Sequence, residues 1–277
     1  MNLPFRLGST SYVYPGDLVE NAQRLRPVVD DVELVLFHTP ARSNMPDDVT
    51  IARLAEVAGD GLTFSLHLPT HLRLTHHDVG ERNRSTDQAA ELIERCHPLP
   101  LSGIVVHLEG GEPSDGDRGA WEKWQRAAIG TLSALVPLRA VPLCVENIER
   151  YPFELLLPVV ECSGVDLCLD IGHLWKMGRN AGPLLRAWLP RASMIHLHGW
   201  DGTRDHRALT VTPPAALGAI LSELAESRWR GLLTLEVFEE DFWHSRDVLL
   251  KAISEIGDER LEIGSSAARQ SSIPRRE

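Results

Sequence analysis

Short apolar runs alternate with longer amphipathic stretches along most of the chain. Each apolar run has a length typical of a buried strand, and the stretch after it carries apolar residues at helical spacing. The apolar runs occupy residues 7–11, 32–37, 62–66, 103–106, 142–145, 165–169, 193–197 and 232–235. The helical stretches end near residues 25, 59, 97, 135, 162, 188, 226 and 256. The pattern therefore predicts eight successive strand-then-helix units, with a long polar connection over residues 71–85.

Eight such units fit a closed α/β barrel better than an open, doubly wound sheet. The dinucleotide-binding pattern Gly-x-Gly-x-x-Gly, which is typical of the open fold, does not follow the first strand. We therefore predict a single (β/α)8 TIM barrel over residues 1–263. Residues 264–277 are polar and are predicted to form an unstructured tail.

Side chains of metal-binding type stand at the ends of the third to the eighth predicted strands. In a barrel, the C-terminal ends of all strands meet at one mouth. A buried polar group costs about 1–3 kcal/mol if it is left unpaired, and one metal site would compensate the whole set together. The sequence thus predicts a metal site at the C-terminal mouth. Its candidate residues are His67, His107, Glu146, Asp170, His196 and Glu236.

The stretch around Asp170 and His173 illustrates the choice between a structural and a chemical role. An acid and an imidazole three residues apart, just past a strand end, can converge on one cation. Carboxylate and imidazole ligands suit divalent Zn, Mn, Co or Fe. In the alternative interpretation, the aspartate caps the next helix and the histidine packs under a loop. Gly172, between the two, is predicted to allow a sharp turn.

Composition and charge narrow the range of binding partners and cellular locations that we expect. The chain is 43% hydrophobic and 24% charged, as in an ordinary globular protein, and its net charge is −11. A surplus of acid argues against nucleic-acid binding, which requires clustered Lys and Arg. Four cysteines lack paired spacing and lie in or beside apolar runs, as expected of reduced core residues. The N-terminus has no signal-like apolar region and no segment is long and apolar enough to span a membrane, so we expect a soluble cytoplasmic protein.

Four short motifs resemble the xylose-isomerase-like barrel superfamily, which includes sugar isomerases, epimerases and endonuclease IV-type phosphodiesterases. They are Val-Glu-Asn at 145–147, Leu-Asp-Ile-Gly-His at 169–173, Ile-His-Leu-His at 195–198 and Leu-Glu-Val at 235–237. In the isomerase branch, the resemblance implies one metal held by Glu146, Asp170, His196 and Glu236. In the endonuclease-like branch, it adds His67, His107, His173 and the pair Asp205 and His206 as ligands in a multinuclear site.

Two points of this resemblance stay open. Asp205 and His206 are adjacent, whereas the family pattern has one residue between the acid and the imidazole. His196 and His198 are alternate residues of one strand and face the same side, so either could be the ligand.

A narrower resemblance comes from the N-terminal third. Residues 8–21, 32–37 and 67–69 resemble the cobamide-remodelling phosphodiesterases, which hydrolyse the nucleotide loop of corrinoids. A multinuclear metal site suits this chemistry. Glu146 and Glu236 would then act as bridging, catalytic carboxylates, and His198 would orient or bind the substrate. The alternative is a single-metal sugar (phosphate) isomerase or epimerase, in which the two glutamates move a proton. A non-catalytic binding barrel would leave the converging ligands without a role.

Overall fold

Eight parallel strands, all within the residues 5–113 and 117–270 that the computed structural model describes, close into one barrel in chain order. Side chains are described up to residue 256. The strands are β1 (Arg6–Thr10), β2 (Asp31–Val35), β3 (Thr63–His67), β4 (Leu101–Val106), β5 (Leu143–Glu146), β6 (Asp166–Asp170), β7 (Ala192–Leu197) and β8 (Leu232–Leu235). Strand β1 pairs with both β2 and β8, which closes the ring. The prediction of a TIM barrel is confirmed.

Helices cover the outside of the barrel. They are α1 (Leu18–Leu25), α2 (Asp48–Ala58), α3 (Val79–Cys96), α4 (Arg118–Leu135), α5 (Leu157–Ser163), α6 (Ile171–Lys176), α7 (Ala181–Trp188), α8 (Pro214–Glu226) and α9 (Glu239–Gln270). Short 3-10 turns lie at Val136–Leu138, Phe153–Leu155, Leu189–Arg191 and Leu209–Val211. Within the described residues, every helix is too short or too polar to cross a lipid bilayer.

Helix α3 begins earlier than the sequence pattern indicates. The polar connection was predicted to continue to residue 85, but Asp78 accepts a hydrogen bond from the backbone N–H of Glu81 and starts the helix at Val79. The first turns face solvent, as the exposure of Val79 and Gly80 shows, so they lack the apolar spacing that signals a helix. Helix α6 was also not predicted, because it is short and follows β6 directly.

Two further expectations differ from the structure. The backbone of residues 264–270 continues α9, in contrast to the unstructured tail predicted from residue 264, and residues 271–277 lie outside the described part of the chain. Once a helix has started, each added residue contributes one further hydrogen bond, so polar residues can continue it. Cys96, Cys144 and Cys168 are buried as expected, whereas Cys162 is exposed.

Along β5, β6 and β7, the residues that face the barrel interior are apolar in the middle of the strand and polar at the mouth. Cys144, Cys168 and Met194 belong to a small buried cluster inside the barrel. Each lies two residues before a predicted metal ligand on the same strand, and residues two apart in a strand point to the same side. On β5, β6 and β7 the inward row therefore changes from apolar to ionisable over one step toward the C-terminal end. This layering places Glu146, Asp170 and His196 at the mouth.

Asp31 anchors the opposite end of the barrel. Its buried carboxylate accepts hydrogen bonds from the hydroxyls of Thr63, Ser65 and Ser102. We expect Asp31→Ala to lower the free energy of unfolding by about 2–4 kcal/mol, because three hydroxyls would lose their shared acceptor. Urea denaturation measures the change, with exposed Asp60→Ala as the control. Equal loss of stability in the two variants would contradict this role.

Candidate metal centre

Four of the residues predicted from strand ends form one compact group. Glu146, Asp170, His196 and Glu236 each offer a ligand atom, and these atoms all lie within 4.8 Å of one another. His196 Nδ1 is 3.5 Å from Glu146 Oε2 and 3.4 Å from Glu236 Oε2. All four residues are buried. The group comes from strands β5, β6 and β7 and the residue following β8, so barrel closure brings it together.

Glu146 also belongs to a second group. Its Oε2 atom lies 3.1 Å from His67 Nε2 and 3.0 Å from His107 Nε2. His67 ends β3 and His107 follows β4, and their rings meet edge to face at 4.8 Å between centroids. The two histidines thus approach Glu146 from the β3 and β4 side, while the first group approaches from the β6 to β8 side. One carboxylate therefore connects two potential ligand sets.

A third group consists of His173, His198 and His206. The rings of His198 and His206 stack at 4.2 Å between centroids. The backbone N–H of His206 donates to His198 Nδ1 at 3.0 Å, so the proton of a neutral His198 resides on Nε2. That nitrogen lies 3.3 Å from Asp170 Oδ1. His196 therefore faces the acids of the first group, and His198 contacts one of those acids.

Asp205 and His206 occupy different positions despite being adjacent. His206 Nε2 is 3.5 Å from Glu236 Oε2, so its ring reaches the centre. The Asp205 carboxylate instead accepts a hydrogen bond from Lys176, which also pairs with Glu149. Burial raises the pKa of Asp205, but the bonds from Lys176 and His206 outweigh it and hold that pKa well below its usual range. Asp205 retains a place in a looser group with Glu149 and His173.

The turn after β6 serves both interpretations offered by the sequence. Asp170 caps α6 by accepting the backbone N–H of His173 at 2.6 Å, and the same carboxylate belongs to the first group. Gly172 is not in the left-handed region. It is required because a Cβ atom there would lie 2.2 Å from the His198 ring. The expected reason for this glycine, a sharp turn, is therefore replaced by close packing against His198.

Three polar residues of the site were not predicted. Glu33 lies inside β2 and its Oε2 is 3.0 Å from His196 Nε2. Asn147 exchanges two 2.9 Å hydrogen bonds with the backbone of Asp170, and its own carbonyl lies 3.0 Å from His173 Nδ1. Lys176 joins Glu149 to Asp205. Glu33 had a signal as a charge within an apolar run, and Asn147 belongs to the Val-Glu-Asn motif at 145–147, whereas Lys176 had none.

The charges of the centre balance one another. Burial lowers the pKa of His107, but Glu146 and Glu109 outweigh it and raise that pKa to about 10. Burial likewise opposes a charge on His206, whereas Glu236 and other acids raise its pKa to about 9. Burial raises the pKa of Glu146, but the neighbouring histidines hold it well below its usual range. In the absence of metal, the carboxylates therefore favour the protonated forms of His107 and His206, and a bound cation would compete with those protons.

Unpaired buried atoms test whether a metal fits. Among the described residues, Asp170 Oδ2 and His196 Nδ1 are buried without a hydrogen-bond partner. Each belongs to a residue of the first group, whose ligand atoms all lie within 4.8 Å of one another. Unpaired polar atoms are costly in a protein interior, and coordination would satisfy them. The mixed carboxylate and imidazole set matches divalent Zn, Mn, Co or Fe, so the residues present fit such a metal.

Comparisons with known proteins agree with the fold. Residues 29–257 match a family model described as "Xylose isomerase-like TIM barrel". No curated protein matches the chain significantly in sequence. A D-tagatose 3-epimerase-like protein is structurally similar, with 18% identity, a TM-score of 0.78, and coverage of 92% of this chain and 99% of that one.

Two other solved structures are also similar. Endonuclease IV from Thermus thermophilus shares 20% identity, with a TM-score of 0.65 and coverage of 90% of this chain and 99% of that one. The IOLI protein, solved with a bound zinc atom, shares 16% identity, with a TM-score of 0.71 and coverage of 91% and 99%. At these identities the similarity shows the fold alone.

Proposed function

Because the chain belongs to the xylose isomerase-like TIM barrel family, we propose that it is a divalent-metal-dependent phosphodiesterase acting on a small molecule. One observation carries the proposal: the Glu146 carboxylate is shared between the group with Asp170, His196 and Glu236 and the group with His67 and His107. A single-metal reaction requires only the first of these groups. Two adjacent ligand sets are typical of enzymes that hydrolyse phosphate esters.

In this proposal the ligands divide as follows. Glu146, Asp170, His196 and Glu236 would hold one metal, and His67 and His107, with the shared Glu146, would hold a second. His173 and His206 complete the centre from the β6 and β7 side, and Asp205 acts indirectly through Lys176 and His206. Divalent metals there would supply Lewis acidity and lower the pKa of water from about 15.7 toward 7.

The chain's own groups would position these ligands and the substrate. His198 Nε2 lies 3.3 Å from Asp170 Oδ1, so its ring would limit the positions open to that carboxylate. Glu33 accepts from His196 Nε2, which leaves His196 Nδ1 directed at the acids. His206 Nε2, 3.5 Å from Glu236 Oε2, can hold a proton beside that carboxylate at the mouth. Lys176 presents an ammonium group beside the centre, where it can pair with a phosphate oxygen.

For the substrate, we propose the nucleotide loop of a cobamide. The resemblance of residues 8–21, 32–37 and 67–69 to cobamide-remodelling phosphodiesterases supports this choice. Endonuclease IV is among the similar structures, but the net charge of −11 disfavours a DNA duplex as substrate here. A small corrinoid needs no extended basic surface. A cytoplasmic location would suit this substrate and the buried free thiols.

A sugar isomerase or epimerase is the second candidate. The group of Glu146, Asp170, His196 and Glu236 is complete for one metal without the flanking histidines. Structures similar to this chain include D-psicose 3-epimerase, which was solved in the presence of D-fructose. In this case Glu146 and Glu236 would exchange a proton with carbon atoms next to a carbonyl.

Metal removal and two parallel assays separate the candidates. Purified protein is treated with a chelator, then supplied with Zn, Mn, Co or Fe, and its metal content is measured. We expect cleavage of a cobamide at its phosphodiester to vanish on chelation and to return with one of these metals. Chromatography of the corrinoid products follows the reaction. Metal-dependent interconversion of ketohexoses, without cleavage of the cobamide, would contradict the phosphodiesterase and support the epimerase.

A further inference from the structure

A cavity of about 950 Å3 lies at the barrel mouth beside the metal centre. It is lined by the segments that follow β1, β2 and β8, and its residues include Tyr12, Arg42, Arg207 and Phe238. Phe238 is two residues past Glu236, and Arg207 directly follows His206. The segments that carry Glu236 and His206 therefore continue directly into the cavity wall. The proposed ligands of the metal centre do not line it.

One wall of this cavity is aromatic and exposed. Phe238 is 52% exposed, and the Tyr12 ring lies 4.6 Å from it, centroid to centroid, at an interplanar angle of 31°. Apart from Trp243, which follows on the same segment, the large apolar side chains exposed in the described part of the chain are valines distant in sequence. A phenyl ring left open to water at a cavity wall provides a stacking surface for another planar ring.

This wall is held in place by bonds between the segments after β1 and β8. The backbone N–H of Glu239 donates to Val13 O at 2.8 Å, and Glu239 has a φ of 32°, which is uncommon for a non-glycine residue. The Trp243 indole N–H donates to the Tyr14 hydroxyl at 3.1 Å. These bonds fix both segments independently of any ligand. A preformed wall binds a rigid ring without a large loss of conformational entropy.

The charges of the cavity indicate which part of a substrate it would accept. Four acids, Asp17, Glu239, Glu240 and Asp241, line it against two cations, Arg42 and Arg207, and Arg207 is paired with Asp241 at 2.9 Å. These carboxylates would repel a second phosphate group. They can accept hydrogen bonds from ring N–H or ribose hydroxyl groups. The occupant that fits is an uncharged heteroaromatic ring carried on a sugar, with its phosphate directed toward the metal centre.

We propose that Phe238, backed by Tyr12, forms an aromatic subsite that stacks on the nucleoside base of the phosphodiester substrate. This inference rests on the proposed phosphodiesterase function and adds the moiety that the enzyme recognises next to the scissile bond. Stacking on an aromatic side chain tolerates different planar bases. The subsite would thus select esters that carry a base over esters that carry only an alkyl group.

The test compares two phosphodiesters that share one alcohol and differ in the other, which is either a benzimidazole ribonucleoside or methanol. We expect Phe238→Ala to lower kcat/KM about tenfold or more for the nucleoside ester and to leave the methyl ester within about twofold. Phe238→Trp should retain the preference. Val79→Ala, which truncates an exposed side chain outside the cavity, is the matched control.

A titration of the free benzimidazole ribonucleoside gives a readout that does not depend on turnover. Wild-type protein should bind it by calorimetry, and Phe238→Ala should weaken that binding about tenfold. An equal loss of kcat/KM for both esters, or unchanged nucleoside binding in Phe238→Ala, would contradict the aromatic subsite. Neither result would contradict the proposed phosphodiesterase activity. If the wild type cleaves neither ester, the phosphodiesterase proposal fails, and the titration alone decides whether the cavity binds a base.

Discussion

Asp170→Asn should lower turnover by about three orders of magnitude while the barrel remains folded. Asparagine keeps an oxygen that can accept the His173 backbone N–H, so the cap of α6 survives. It lacks the negative charge that a divalent metal requires from Asp170 Oδ2, an atom buried without a hydrogen-bond partner among the described residues. Loss of several kcal/mol of charge stabilisation corresponds to this fall in rate. Steady-state kinetics and metal analysis of the purified variant measure it.

Asp166→Asn is the matched control on the same strand. Asp166 lies at the start of β6, where its carboxylate accepts a hydrogen bond from the Ser193 hydroxyl at 2.6 Å. The same chemical change there should alter turnover and metal content only slightly, because this end of the strand is remote from the mouth. An Asp170→Asn protein with near wild-type turnover would remove Asp170 from the proposed metal set.

The fold could be predicted because the lengths of the apolar runs, the helical spacing between them and the number of units all indicate the same architecture. Apolar runs of strand length, each followed by a helical stretch, admit few arrangements, and eight such units favour closure. The polar first turns of α3 escaped detection because a solvent-facing turn lacks apolar periodicity. Helix α6 was not predicted because a single short segment after a strand resembles a loop.

The candidate site could be predicted where its residues stand at strand ends. Glu146, Asp170 and His196 were found because strand ends converge in a barrel, and the structure brings them together with Glu236. Glu33 was missed because it lies within a strand, and a charge in that position could face either the barrel interior or its helices. Lys176 pairs with acids from other segments, which no local pattern encodes, and Asn147 was noted only as part of the motif at 145–147. The roles proposed for all of these residues stay predictions until the variants are measured.

The effect of replacing His107 on the number of metals per chain distinguishes a phosphodiesterase from an epimerase. His107 Nε2 lies 3.0 Å from Glu146 Oε2, and His107 belongs to the group with His67 and not to the group with Asp170 and Glu236. We expect His107→Ala to lower the metal content by one ion per chain and to abolish phosphodiester cleavage, because His67 and Glu146 alone would hold the second metal weakly. The first group is untouched by this change and should keep its metal. Elemental analysis of the wild type and the variant, purified in parallel, gives the two counts.

His97→Ala provides a comparison that removes an imidazole outside the mouth. His97 follows α3, and its Nε2 lies 2.9 Å from Leu138 O, so its loss should leave the metal content unchanged. In a single-metal epimerase, His107 could contact only substrate hydroxyls, and His107→Ala would weaken substrate binding without releasing an ion. One ion per chain in both the wild type and His107→Ala, together with epimerisation of a ketose, would therefore exclude a bridging role for Glu146. If Glu146 joins two metals in one hydrolytic centre, the wild type should hold at least two ions per chain. His107→Ala should then hold one ion fewer and should no longer cleave the phosphodiester.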